Sequence, residues 1–194
     1  KIKTDEALIK ILSTPDHSNK SWITDQYDQV VMCDTIQKSG GDAAVIRIHK
    51  KEKAISISVD SSANYCVADP RTGGKQIICE NWRNLISVGS KPLAITNCLN
   101  FGNPEKPEVM GEFVECIEGM KEACEFLDYP VVSGNVSFYN ETNSKSIFPT
   151  PVIGGIGIFD NLNRIINMKT KKAGNIIIVV GKTFGNLTRS SFLK

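Results

Sequence analysis

Apolar residues recur along the chain with two different spacings, and the change of spacing separates predicted strands from predicted helices. Residues 53–63 alternate between apolar and polar positions, as expected of a strand with one buried face. Residues 73–90 and 108–127 place apolar side chains three or four positions apart, which predicts two amphipathic helices. Gly89 is a suitable C-terminal stop for the first of these helices.

The remaining apolar segments complete a mixed set of strands and helices. A short helix is predicted over residues 4–12, and strands are predicted in residues 40–50, 92–101, 130–132 and 149–160 and in the apolar run that begins at residue 176. The glycines of the strand at 149–160 allow close backbone approach. This order of elements predicts an α+β fold in which helices cover one face of a mixed sheet.

Composition and charge argue against two classes of partner. The 194 residues are 41% hydrophobic, but no window approaches the roughly 18 consecutive apolar residues that a membrane span requires. The net charge of +2 results from 23 basic and 21 acidic residues that are interspersed, without the basic stripe that binds nucleic acid. We therefore expect no nucleic acid and no membrane among the partners.

The cysteine and histidine content argues against a thiol or zinc centre. Six cysteines occur without a C-x-x-C pair, as expected of reduced thiols in the cytoplasm. Because only His17 and His49 are available, a Cys/His zinc site or a Cys-His hydrolytic pair is disfavoured. The sequence therefore predicts a cytoplasmic protein whose helical cysteines are small core residues.

Polar segments follow three of the predicted strands and form the candidate ligand site. They are VDSSANY, TNCLNFGNPE and SGNVSFYNE, and in neighbouring strands they would meet at one edge of the sheet. Gly102 and Gly134 would let backbone N–H groups approach a phosphate, and the Ser137 hydroxyl can donate to its oxygens. Asparagine carbonyls suit a hard cation such as magnesium.

Each of these segments also has a purely structural interpretation. Asn, Gly and Ser are ordinary turn residues, so a plain turn is the alternative for any one segment. Asp60 and Asp69 would add carboxylates to a ligand site, whereas Asp42 would either cap a turn or contact a metal or nucleotide. Neither the G-x-x-x-x-G-K-[ST] phosphate loop nor a dinucleotide fingerprint in strand–helix context is present.

Five motifs together resemble one enzyme family. They begin at residues 26, 40, 80, 131 and 149, and they are QYDQVV, GGDAAVIRI, ENWRNLISVGSKPLAITNCLNFGNPEKPEVM, VVSGNVSFYNET and PTPVIGGIG. The chain resembles phosphoribosylformylglycinamidine synthase, the glutamine-dependent ligase family of purine biosynthesis. CLNFGNPEKPE and SGNVSFYNET are long and specific, and the resemblance extends over nearly the whole chain.

The resemblance implies a domain organisation. The family's synthetase chain is similar to two fused copies of the aminoimidazole ribonucleotide synthetase fold, whose N-terminal sheets pair into a barrel. Residues 1–171 resemble the N-terminal α/β domain of the second copy, and residues 172–194 resemble the start of its C-terminal domain. We therefore expect a piece of a longer polypeptide, with a mixed sheet able to pair with a missing first copy.

The resemblance also implies roles for four residues. Asn97 and Gly134 would contact ATP. Asn135 would ligate Mg²⁺, and Ser137 would contact the nucleotide substrate. The family usually has Asp at the position of Asn97, so a negative charge is lost there, which implies either fine-tuning or decay of the ATP contact. No catalytic residue is carried over, because the family's catalytic histidines and acidic metal ligands belong to the first copy.

The family's reaction defines what this chain would contribute. ATP phosphorylates the formamide oxygen of formylglycinamide ribonucleotide, and ammonia from glutamine then displaces phosphate. The chain would supply ATP, Mg²⁺ and substrate contacts, and it would be inactive alone. Two alternatives are a small-molecule kinase of the same fold and a non-catalytic scaffold that holds a nucleotide.

The resemblance also implies protein partners. They are the missing first half of the synthetase chain, a glutaminase subunit or domain and a small accessory subunit. A sheet built to pair with the missing first copy would expose an apolar edge, so isolated chains are expected to associate with themselves.

Overall fold

The chain divides into two compact units, which the computed structural model describes over residues 2–182, 184–185, 187 and 189–193. The larger unit is Gln29–Asn167, and the smaller unit combines Lys1–Asp28 with Met168–Lys194. The candidate site residues all lie in the larger unit.

Six strands form one mixed sheet in the larger unit, and two short strands form a separate hairpin. The bounds are β1 (Thr35–Gln37), β2 (Ala44–Arg47), β3 (Ala54–Ser61), β4 (Lys91–Asn100), β5 (Val131–Ser137), β6 (Glu141–Thr142), β7 (Lys145–Ser146) and β8 (Thr150–Phe159). The order across the sheet is β1-β2-β3-β8-β4-β5, and β6 pairs with β7. The pairs are antiparallel except β4 with β5, which are parallel.

The described part of the chain contains five α-helices. The smaller unit contains α1 (Thr4–Leu12) and α2 (Ser21–Thr24), and the larger contains α3 (Ala63–Ala68), α4 (Pro70–Ser87) and α5 (Pro107–Leu127). Asp69 caps α4 by accepting a hydrogen bond from the Thr72 amide at 2.8 Å, so the helix begins before the predicted start at 73. Gly89, with φ of +91°, follows the end of α4 as predicted.

None of the helices in the described ranges combines the length and the apolar character that crossing a bilayer requires.

The helices of the larger unit cover one face of the sheet. α4 packs against β3, β4 and β8, and α5 packs against α4. The largest buried side chains between these layers are Val45, Ile77, Ile78, Leu85, Ile95, Ile153 and Phe159. The α+β fold predicted from the sequence, with helices on one face of a mixed sheet, is therefore confirmed.

The opposite face of the sheet is apolar and accessible. We call it the open face and define it by Ile55, Ile57, Val59, Ile156 and Ile158. In β3 every second residue is buried under the helices, so the isoleucines and Val59 face away from them. The register of β3 with β8 places Ile156 beside Ile57 on the same face. Val59 is 68% exposed and Ile156 is 45% exposed, so this face is a candidate surface for association.

Glycines in β8 let polar side chains approach the sheet closely, whereas the sequence predicted close approach of backbone. A Cβ atom at Gly155 would overlap Asn81 Oδ1 and the Tyr129 hydroxyl. Asn81 is fully buried, donates to Asp60 Oδ2 at 2.7 Å and accepts from the Tyr129 hydroxyl at 2.7 Å. Burial is the main cause of the raised pKa of Tyr129, which keeps the phenol protonated and able to donate.

The predicted strand at the beginning of the C-terminal segment is not formed. Residues 176–180 have no regular secondary structure, and each side chain in the run is at least 76% exposed. Hydrophobic character alone does not make a strand, because the backbone groups also need a paired neighbour. The division of the chain into domains 1–171 and 172–194 stays a prediction. Lys1, Thr183, Asn186, Thr188 and Lys194 lie outside the described residues.

Replacing Gly155 by alanine is expected to lower the free energy of unfolding by at least about 2 kcal/mol, because the added methyl group overlaps buried groups. Gly111→Ala is the matched control, since nothing lies within 4 Å of a Cβ at this position in α5. There, alanine is expected to raise the free energy of unfolding by up to about 1 kcal/mol. Urea unfolding followed by circular dichroism measures both changes. Equal stability of Gly155→Ala and the unchanged chain would contradict the close packing.

Candidate functional site

The polar segments predicted as loops belong largely to the strands themselves. β4 ends at Asn100, next to the predicted end at 101, so the polar segment after residue 95 is strand and not loop. β5 continues through Ser137, beyond its predicted end at 132. β4 stays in register with β8 as far as the pair Asn100 and Thr150. The prediction was wrong because the hydrogen bonds and packing of a paired neighbour outweigh the turn preference of Asn, Gly and Ser.

The polar residues of the three segments are aligned across the sheet, but β8 and β4 separate those of β3 from those of β5, so the three segments do not all meet as predicted. Two adjacent rows of residues cross the sheet from β3 through β8 and β4 to β5. The rows are Asp60, Ile153, Asn97 and Gly134, followed by Ser61, Val152, Cys98 and Asn135. The parallel pairing of β4 with β5 therefore brings Asn97 next to Gly134.

The four candidate residues lie in two adjacent strands but on two faces of the sheet. Asn97 shares its row with buried Ile153, so Asn97 and Gly134 are on the helical side. Asn135 and Ser137 are the next alternate positions in β5, so they are on the open side. In the described sheet β5 pairs with β4 alone, so its outer edge is free for a ligand that contacts both faces.

Asn97 and Gly134 are in direct contact. A Cβ atom at Gly134 would overlap Asn97 Oδ1 and would lie 2.8 Å from the Asn97 carbonyl oxygen. Gly134 is exposed despite this contact, so its backbone is accessible from solvent. Because residue 134 has no side chain, the Asn97 amide can occupy its present position and the backbone of the edge strand stays accessible.

Asn135 has the chemistry expected of a cation ligand. Its side chain is exposed and makes no hydrogen bond to any residue in the described ranges. Mg²⁺ is usually held by one or two protein oxygens together with phosphate oxygens and water, so a single free amide oxygen fits this role. No group of three His, Cys, Asp or Glu side chains converges as a metal site in the described part of the chain.

Ser137 is held by a residue that the sequence did not single out, Asn140. Asn140 Nδ2 donates to Ser137 Oγ at 3.1 Å and to the carbonyl oxygens of Ser137 and Phe101, both at 3.0 Å. The Tyr139 amide also donates to the carbonyl oxygen of Gly102 at 2.9 Å. The segment that follows β5 is therefore fastened to the segment that follows β4.

Glu141 connects the β6–β7 hairpin to the same segment. Its Oε1 accepts from Lys106 Nζ at 2.6 Å and from Ser146 Oγ at 2.9 Å. The hydrogen bond from Lys106, and then that from Ser146, holds the pKa of Glu141 below its ordinary value. A Cβ atom at Gly102 would overlap Ser146, so the contact is close. Sequence spacing does not reveal this pairing, because Lys106 and Glu141 meet only in the folded chain.

The three carboxylates considered from the sequence have different environments. Asp69 is the N-terminal cap of α4, which accounts for its position without a ligand. Asp60 accepts a hydrogen bond from buried Asn81. Asp42, Asp60 and Glu80 line a cavity of about 520 Å³ beside β3. Burial is the main cause of the raised pKa of Glu80, with nearby Asp60 contributing.

Comparison with known proteins identifies a family and related solved structures. Residues 40–159 match the family described as AIR synthase related protein, N-terminal domain. The chain is 58% identical over 193 residues to the phosphoribosylformylglycinamidine synthase subunit PurL of Pelagibacter ubique. That alignment covers 100% of this chain and 26% of the relative.

Solved structures of Thermotoga maritima PurL superpose on the chain. The structure of PurLQS gives a TM-score of 0.73 at 37% identity and covers 78% of this chain and 25% of that chain. PurL complexed with ATP gives a TM-score of 0.68 at 37% identity and covers 76% of this chain and 24% of that chain. PurL complexed with FGAR gives a TM-score of 0.67 at 38% identity, also with 76% of this chain and 24% of that chain covered.

These comparisons place the four candidate residues inside a known domain family. The chain spans about a quarter of the length of the curated relatives it matches. The resemblance of its motifs to phosphoribosylformylglycinamidine synthase is confirmed by the Pelagibacter relative, and the match over residues 40–159 takes in the sheet from β2 to β8. The chain therefore belongs to the AIR synthase related protein family, to whose N-terminal domain residues 40–159 correspond.

Proposed function

We propose that this chain is part of an ATP-dependent carbon–nitrogen ligase, phosphoribosylformylglycinamidine synthase, that acts in purine biosynthesis in the cytoplasm. Its contribution is one side of the site for Mg-ATP and formylglycinamide ribonucleotide. The observation that carries the proposal is the parallel pairing of β4 with the edge strand β5, which brings the four candidate residues into neighbouring rows. The ATP and FGAR complexes of the related Thermotoga maritima PurL support this choice of ligands.

Asn97 and Gly134 are proposed to hold the nucleotide. Gly134 has no side chain to block the backbone of an edge strand, so a phosphate can approach its peptide groups closely. Asn97 places its Oδ1 acceptor beside that backbone. An amide oxygen accepts a hydrogen bond but carries no net charge, so the interaction is weaker than that of a carboxylate.

Asn135 and Ser137 are proposed to serve the metal and the substrate on the open side of the strand. When bound, Mg²⁺ would neutralise phosphate charge and orient the phosphates. The Asn135 oxygen is free of partners among the described residues, so ligation there breaks no hydrogen bond within them. The Ser137 hydroxyl would donate to an acceptor oxygen of the ribonucleotide.

The open face is proposed to bind the rest of the synthetase. The chain corresponds to 26% of the Pelagibacter relative, so most of the ligase is supplied by other segments. Val59 and Ile156 are exposed, and burying them against another apolar sheet would stabilise the association. A glutaminase and a small accessory subunit are proposed as further partners, which the PurLQS structure of a relative supports.

Substrate-dependent ADP release tests the ligase proposal. The chain is joined to the remaining segments of the Pelagibacter relative, in place of the matching quarter, and supplied with formylglycinamide ribonucleotide, Mg-ATP and ammonium chloride. Ammonium removes the need for a glutaminase. We expect ADP release that requires the ribonucleotide. In Asn135→Ala the rate of ADP release should fall at least about tenfold, because the loss of even a group that only supports a metal ligand has an effect of this size.

Asn163→Ala is the control for this experiment, because Asn163 is an exposed asparagine outside the two rows of the site. Its rate is expected to equal that of the unchanged hybrid. ADP release without ribonucleotide, or full activity of Asn135→Ala, would contradict the proposal. Release that requires a different small molecule would favour the kinase alternative.

Asn97→Asp is expected to lower the KM for Mg-ATP by about fivefold in the same hybrid. A charged acceptor makes a hydrogen bond stronger by about 1 kcal/mol than a neutral acceptor does. Asn163→Asp introduces the same charge away from the site and should leave this KM unchanged. Initial rates at varied Mg-ATP concentration measure this KM. An unchanged or higher KM in Asn97→Asp would show that Asn97 Oδ1 does not accept a hydrogen bond from the nucleotide.

Ile156→Lys is expected to prevent self-association of the isolated chain. The substitution places a charge on the open face, and we expect the dissociation constant to rise at least about tenfold, because burying an unpaired charge is unfavourable. Phe126→Lys is the matched control, since Phe126 is 89% exposed but lies on α5. Sedimentation velocity at increasing concentration measures both. A chain that stays monomeric at high concentration, or association weakened equally by both variants, would contradict this use of the open face.

A further inference from the structure

We propose that Asn140 is a positioning residue that orients the Ser137 hydroxyl, so that Ser137 donates its proton to an anionic oxygen of the substrate. The inference rests on the proposed function, because it takes Ser137 as the substrate contact. It assigns a task to a residue that lies within the VVSGNVSFYNET motif but was given no role there.

The surroundings of the Asn140 amide determine which of its atoms donates. Nδ2 lies 3.0 Å from the carbonyl oxygens of both Phe101 and Ser137, and carbonyl oxygens only accept hydrogen bonds. The atom that faces them is therefore the NH₂ group. The same group lies 3.1 Å from Ser137 Oγ, whereas Asn140 Oδ1 lies 3.4 Å from it. The shorter contact is the one in which Asn140 donates and Ser137 accepts. Because the NH₂ group has two protons for three acceptors, one proton is shared between the Ser137 carbonyl oxygen and Ser137 Oγ.

This arrangement leaves the Ser137 proton for a ligand. A hydroxyl group has one proton to donate and two lone pairs that accept. When Oγ accepts from Asn140, its proton is directed to another acceptor. Ser137 lies on the open side of β5, two positions from Asn135, where an incoming ligand would provide that acceptor. Anionic oxygens such as those of a phosphate accept and never donate, so the arrangement selects this class of ligand group.

The path of the backbone does not depend on the Asn140 side chain. The Phe101 amide donates to the Ser137 carbonyl oxygen at 3.0 Å, and the Asn140 amide donates to the Phe101 carbonyl oxygen at 3.2 Å. The Tyr139 amide adds a third bond, to the Gly102 carbonyl oxygen. These three bonds are main-chain bonds, so they remain available when the Asn140 side chain is substituted.

Asn140→Asp removes the donor that orients the Ser137 hydroxyl but nearly keeps the size of the side chain. The carboxylate has nearly the same size as the amide, but it cannot donate to Ser137 Oγ and instead accepts the hydroxyl proton. In the hybrid synthetase we expect the KM for formylglycinamide ribonucleotide to rise about tenfold, the size of effect expected when a hydrogen bond to a charged group is lost. The KM for Mg-ATP should stay the same. Protonation of the new carboxyl restores a donor, so the defect should diminish as the pH falls.

Asn143→Asp is the matched control, because it adds the same charge in the turn of the neighbouring β6–β7 hairpin. It should leave both KM values unchanged. The decisive comparison is made in the Ser137→Ala background, where no hydroxyl is left to orient. There Asn140→Asp should have no further effect on the KM for the ribonucleotide at any pH.

Each contrary outcome has a definite meaning. If Asn140→Asp raises this KM equally with and without the Ser137 hydroxyl, Asn140 is only structural and the inference is overturned. If Ser137→Ala raises the KM but Asn140→Asp does not, the inference is overturned while the proposed substrate contact stands. If Ser137→Ala has no effect, both the inference and the proposed role of Ser137 are overturned.

Discussion

The rest of the structure depends on how closely the helical layer approaches the sheet, which the glycines of β8 allow. Gly155 in β8 has no Cβ atom, and the space is filled by Asn81 and the Tyr129 hydroxyl. Gly157 makes a similar opening for Ser90 and Ser56, whose hydroxyls are hydrogen-bonded at 2.6 Å. Each buried polar group thereby has a partner, which avoids the free-energy cost of an unsatisfied donor or acceptor. The helical layer is thus joined to the sheet by directional contacts as well as by apolar packing.

The same strand organises the candidate site. β8 pairs with β3 on one side and with β4 on the other, so its register aligns the ends of both neighbours. β5 then adds in parallel to β4 and becomes the edge strand. An edge strand in a folded domain carries unpaired backbone groups that are normally protected or used. On this edge, the Gly134 backbone suits a phosphate, the Asn135 amide oxygen suits a cation, and the Ser137 hydroxyl suits an acceptor oxygen.

The sequence predicted the elements of the larger unit better than their ends. Periodicity identified α5 and the alternation of β3, because these patterns are repeated over many residues. It stopped β5 too early, because Asn and Gly favour turns unless a neighbouring strand pairs with them. Residues 176–180 show the opposite error, in which an apolar run has the composition of a strand but no paired neighbour.

The candidate site was predictable only where it is encoded by local motifs. The family motifs point to Asn97, Gly134, Asn135 and Ser137, and the sheet register shows why they belong to one edge. Asn140 and Glu141 were missed because their partners are Phe101 and Lys106, distant in sequence, and no periodic pattern connects these positions. Side-chain hydrogen bonds of this kind depend on the completed fold.

The central claim is that the β5 edge receives a metal-bound nucleotide. The most direct measurement is a crystal structure of the hybrid synthetase with an ATP analogue and Mn²⁺, located by its anomalous scattering. The account predicts an anomalous peak at about 2.1 Å from Asn135 Oδ1, with the phosphates against Gly134. A nucleotide bound elsewhere, with no metal at Asn135, would contradict it.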